Sequence, residues 1–114
     1  MCHFFLKSMQ VNTCRKESFM VYFVATIYFD ESKDKGAYLQ YIQRVKPIVD
    51  KYNGRYIARS ENVTSLSEEW KPDRVIIIEF DTREQLEKCF SSEEYRNIAS
   101  LRENSVDSKA VIIE

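Results

Sequence analysis

The chain has 114 residues, the length of a single domain. It is 44% hydrophobic and 13% aromatic, enough for a real but small core. Its 17 basic and 18 acidic residues leave a net charge of −1, which excludes the basic footprint of a nucleic-acid or anionic-membrane binder. No apolar run approaches the ~20 residues of a spanning helix.

Scarcities narrow the chemistry further. Only two glycines occur, Gly36 and Gly54; phosphate-cradling loops and dinucleotide fingerprints need more at fixed spacing. The one histidine, His3, stands near the start, so triads and His-rich metal sites are not expected in the body of the domain. Cys2, Cys14 and Cys89 are odd in number and far apart, which argues against zinc or a disulfide framework and for a reducing cytoplasm. No cofactor or metal is implied. The sequon Asn62-Val63-Thr64 reads as chance without a secretory signal.

Residues 1–19 show no clear period, and their short apolar run His3–Leu6 is not a signal segment. They read as a poorly ordered extension, with the domain at 20–114. Val21–Phe29 is a strand with two faces. Val21, Phe23, Ala25, Ile27 and Phe29 make an apolar face for helices, while Tyr22, Val24, Thr26 and Tyr28 make a mixed one. Ala37–Tyr52 has helical spacing, with Pro47 placing a kink and Asn53-Gly54 a stop. Arg55–Ser60 is a second strand, and the polar stretch after it has room for a short extension at Val63–Leu66.

Pro72-Asp73 then turns into Arg74–Phe80, a β-branched run long enough for a central strand and too short for a buried helix. Thr82 with Gln85 and Ser91 with Glu94 have capping-box spacing and predict two further helical segments. Their apolar stripes are Leu86, Cys89, Phe90 and then Tyr95, Ile98, Leu101. Arg102–Ser108 reads as a turn and Ala110–Ile113 as a last short strand.

The order β-α-β-β-α-β predicts an α+β, ferredoxin-like sandwich. It is a four-stranded antiparallel sheet with the first and third strands central and both helices on one face. The other face carries Val24, Val75 and Ile77 with no helix to cover it. A second copy of the chain, packed sheet to sheet, is the expected cover.

The chain resembles domain-of-unknown-function family 1330 over about 20–114. The likeness rests on Tyr22-Phe23-Val24-Ala25, Tyr41, Pro47, Tyr52-Asn53-Gly54-Arg55-Tyr56 and Arg59. It continues through Trp70-Lys71-Pro72-Asp73-Arg74, Glu79-Phe80, Ser92-Glu93-Glu94-Tyr95 and Arg102. The resemblance implies a homodimer of the dimeric α/β-barrel superfamily, whose members include cofactor-free monooxygenases, haem-dependent enzymes and stress-response barrels. The chain departs from the family at Asn53-Gly54, where a Gly-Gly pair is usual, and at Cys89-Phe90, where an aromatic pair is common.

Glu79 alternates with Val75 and Ile77 and is expected on the mixed face with Tyr22, Thr26 and Tyr28. Arg55 and Arg59 alternate with Ile57, so either can reach it. An acid, guanidiniums and hydroxyls in an apolar cavity at the dimer face would bind a small carboxylate or aromatic ligand. The structural reading of the same set is an ion pair that fixes the dimer register. Arg74 has the opposite parity and either ties a loop or anchors a ligand at the sheet edge. Tyr38, Tyr41 and Tyr95 read as core or rim tyrosines whose hydroxyls find partners.

Three functions fit. They are a small-molecule-binding homodimer, a cofactor-free oxygenase or isomerase with Glu79 or a tyrosine as base, and a structural or regulatory dimer without ligand. An RNA-binding module of the same topology needs a glycine-containing aromatic motif on the third strand, which RVIIIEF lacks.

Overall fold

The computed structural model describes residues 20–114; the expectation of a poorly ordered extension at 1–19 lies outside them. Strand β1 is Val21–Phe29, helix α1 Lys35–Lys51, β2 Arg55–Ser60, β3 Arg74–Phe80, α2 Arg83–Ser91, α3 Glu93–Glu103 and β4 Val106–Ile113. The sheet is antiparallel in the order β2-β3-β1-β4, with β1 and β3 central as expected. The two most apolar strands thus lie at the centre of the sheet, paired along both edges.

Local chemistry sets the element ends. Asp34 caps α1 by accepting from the Gly36 amide at 2.8 Å. The helix continues through Pro47; Pro47 and Gln43 are both exposed, so the missing hydrogen bond falls on the wet side. Asn53 stops it in the left-handed region at φ 65°, with the Gly54 amide bonded back to the Val49 carbonyl at 2.9 Å. Asparagine tolerates that backbone, which is why the departure from a Gly-Gly pair is accommodated.

Thr82 caps α2 through the Gln85 amide at 3.1 Å, as the spacing predicts. The second cap is Ser92, not Ser91. Ser92 Oγ accepts from the Tyr95 amide at 3.1 Å, while Ser91 stays in α2 and donates to the Glu87 carbonyl at 2.7 Å. Strand β4 also begins earlier than its apolar end suggests, because Asp107 and Lys109 are tolerated on an edge strand. Val63–Leu66 forms no strand; the loop carries one bridge, between Ser67 and Trp70, and is tied to β1 by Trp70 Nε1 donating to the Tyr28 hydroxyl.

The helices cover one sheet face. Tyr38, Val49, Ile27, Phe80 and Cys89 are buried between the layers, joined by a chain of aromatic contacts from Phe29 through Tyr38 and Tyr41 to Tyr95 and Phe90. Burial pushes the Cys89 thiol up to about 12, which leaves it an inert core group. Among the described residues nothing covers the opposite face, where Val111 and Ile113 stand 58% and 50% exposed.

Candidate functional site

On the uncovered face the residues singled out from sequence form two small clusters. At one end the Tyr22 hydroxyl donates to Glu79 Oε2 at 3.0 Å, and Arg55 Nε donates to Glu79 Oε1 at 3.0 Å. Arg55 also reaches Asp81 at 2.8 Å. The hydrogen bond to the Glu79 carboxylate, the largest cause, raises the Tyr22 phenol pKa. At the other end the Thr26 hydroxyl meets the Tyr28 hydroxyl at 3.1 Å, and Trp70 Nε1 donates to Tyr28 at 2.8 Å. The paired residues Val24 and Ile77 separate the clusters.

Arg59 is not on this face. Arg55 pairs with Glu79 and Tyr56 with Ile78, but Ala58 pairs with Ile77, so Ile57 is an extra residue in a β-bulge. One inserted residue reverses the parity of everything after it. Arg59 therefore turns to the helix side, where its guanidinium lies 4.7 Å from the centre of the Tyr56 ring. Of the two arginines that could reach Glu79, Arg55 does. Arg74 lies on the helix side, as its parity requires, and is only 8% exposed.

The cavity that one protomer encloses is on that helix side, not on the bare face. Its volume is about 380 Å³, within the range of small-ligand sites. The sheet supplies a floor of Phe23, Ala25, Ile27, Ile76 and Ile78; α1, α2 and α3 supply Val45, Phe90 and the tyrosines above it. Polar groups converge on part of this lining. The Tyr41 and Tyr95 hydroxyls lie 2.9 Å apart, Arg102 Nε donates to Tyr95 at 3.3 Å, and Arg102 Nη1 donates to Ser108 Oγ at 2.7 Å. Burial, more than the neighbouring Tyr95, drives the Tyr41 phenol far above its ordinary pKa.

Sequence reasoning read these tyrosines as core. All three are buried, and the hydroxyls of Tyr41 and Tyr95 find each other, but the Tyr38 hydroxyl, expected to find a partner, has none among the described residues. Arg102 and Ser108 were missed as site residues. Tyr95 and Arg102 are seven residues apart on one helix, hence on one face, and a guanidinium on an inward stripe was the available signal.

Among the described residues no three or more His, Cys, Asp or Glu converge as a metal set. No helix there is long and apolar enough to cross a membrane.

The architecture is a ferredoxin-like α+β sandwich, shared with structures of low sequence identity. A protein of unknown function from Rhodopseudomonas palustris aligns with TM-score 0.74 and 14% identity, over 92% of this chain and 90% of that one. SnoaB, a cofactor-independent oxygenase from Streptomyces nogalater, aligns with TM-score 0.59 and 12% identity, over 84% and 92%. A dimeric protein of unknown function and ferredoxin-like fold from Bacteroides fragilis aligns with TM-score 0.53 and 11% identity, over 83% and 95%. No functionally curated protein matches the sequence. The chain belongs to the family described as domain of unknown function DUF1330, which matches residues 20–114.

Proposed function

We propose that the protein is a homodimer that binds one small organic ligand per protomer in the cavity between sheet and helices. The observation that carries this reading is the cavity itself, about 380 Å³ of aromatic and aliphatic lining with Tyr41, Tyr95, Arg102 and Ser108 gathered into one polar network. An apolar pocket with a few convergent polar groups is the usual form of a small-molecule site. Dimerisation has separate support: the bare face keeps Val111 and Ile113 largely exposed, and the Bacteroides fragilis relative in fold is dimeric. In this reading Glu79 is structural. It is occupied by Tyr22 and Arg55 on the face opposite the cavity, where it fixes the dimer register.

Thermal shift with a panel of small aromatic acids, amides and ketones tests the ligand. A compound present at about 100 times its Kd adds about 2.7 kcal/mol, which raises Tm by roughly 10 °C or more in a domain of this size. Ala25→Phe and Ala110→Phe, which narrow the cavity from β1 and from the exposed β4 edge, should each abolish that rise. Glu79→Gln should leave it intact. A panel without a hit, or a shift that survives both narrowing variants, contradicts the reading.

A further inference from the structure

Two buried polar groups among the described residues have no protein partner: the Tyr38 hydroxyl and Arg74 Nε. Tyr38 is 2% and Arg74 8% exposed, so neither group loses its partner to bulk water. Tyr38 lines the cavity beside Ile27 and Ser108; Arg74 does not line it, but stands in the sheet beside one end of it. Ile27 is flanked in the sheet by Arg74 on β3 and Ser108 on β4. Ser108 in turn holds Arg102. Burial raises the Tyr38 phenol pKa, while the charge and close approach of the Arg74 guanidinium and, more weakly, the charge of Arg102 lower it, so Arg74 is the nearer of the two charges to this hydroxyl.

The positive charge at this end is poorly answered. Arg74 reaches Glu61 only through Nη1, at 3.5 Å, and the Glu61 side chain is mostly exposed. Arg102 reaches Glu103 at 3.7 Å, again an exposed carboxylate. A buried guanidinium without a close acid is costly to the folded protein. Toward Phe23, Phe90, Val45 and Ile78 the same cavity is apolar. The cavity is therefore polarised: the Arg102 guanidinium and the Tyr38 hydroxyl, with Arg74 beside it, at one end, aromatic and aliphatic walls at the other.

We propose that the Tyr38–Arg74–Arg102 end of the cavity is a carboxylate subsite, and that the ligand is a small carboxylic acid with a flat apolar body. The inference rests on the reading of the cavity as a ligand site and names the class of compound it takes. Tyr38 Oη is the free donor for the carboxylate, Arg102 is the guanidinium that lines the cavity, and Arg74 adds a second positive charge beside Tyr38. A buried hydroxyl without a partner and a poorly paired guanidinium both cost stability, and a bound carboxylate would answer both.

Matched acids and amides test it on the full chain. Benzoate against benzamide, and cinnamate against cinnamamide, keep the body and change the charge. Calorimetric titration should find the acids bound at least about tenfold more tightly than the amides. Arg74→Met and Tyr38→Phe should each reduce that preference several-fold, while the ligand-free Tm of each variant stays level or rises. Amides that bind as tightly as acids overturn the inference and leave the cavity reading standing. The same holds for variants that lose ligand-free stability but keep the acid preference. If neither acids nor amides bind, both readings fall. The acid–amide comparison on the unmutated chain needs no variant to fold.

Discussion

Replacing Val24 and Ile77 together by aspartate should turn the proposed dimer into folded protomers of 13.6 kDa. The two residues face each other across β1 and β3 on the bare side of the sheet. In an isolated protomer the new carboxylates stay in contact with water. In a sheet-to-sheet dimer they would be buried without partners, beside the same pair from the second copy. Unpaired buried charge costs several kcal/mol, so association should weaken by a factor of about 1,000 or more. Sedimentation of the unmutated chain should give twice the protomer mass, and the variant one protomer mass with an unchanged far-UV spectrum. An unmutated chain that sediments as a protomer at high concentration, or a variant that stays dimeric, contradicts the role given to this face.

The other large effect is in the core. Phe80 is fully buried at the end of β3, and Phe80→Ala should cost about 3–5 kcal/mol. That is a large fraction of the ~5–15 kcal/mol that holds a domain together, and it corresponds to a Tm lower by at least about 12 °C. Gly54 reports on the same spot. Its backbone is not left-handed, so glycine is there for space: a Cβ at this position would stand 2.6 Å from Val49 Cγ1 and 2.8 Å from Phe80 Cε2. Gly54→Ala alone should cost about 1–3 kcal/mol through overpacking. In the Phe80→Ala background that cost should fall, because one of the two obstructing groups is gone while Val49, the nearer, remains. A urea double-mutant cycle measures the difference; strictly additive costs would show that the clash is not with Phe80.

The fold was legible in the sequence because its main signals are local and repeat. Val21–Phe29, Arg55–Ser60 and Arg74–Phe80 match the observed strands residue for residue, since β-branched runs between turn residues leave few other readings. The edges were harder. Strand β4 hides its start in Asp107 and Lys109, and two adjacent serines compete for one cap.

The site was legible only in part. Tyr22, Glu79 and Arg55 come together as the alternation suggested, but alternation cannot see a bulge, and one extra residue at Ile57 sent Arg59 to the other face. The cavity was less visible still. It is a gap between layers, set by how far the helices stand from the sheet, and no residue spacing encodes that distance. Its polar end draws on four elements: Tyr38 on α1, Arg74 on β3, Arg102 on α3 and Ser108 on β4. No two of the four are near neighbours in sequence except the last pair.

Mapping amide chemical shifts during a titration with cinnamate tests the account most directly. The cavity reading predicts changes that saturate together at Tyr38, Tyr41, Phe90, Tyr95 and Ser108, with Tyr22, Val24 and Ile77 unmoved. Saturating changes centred on the bare sheet face, with the cavity residues still, would contradict it.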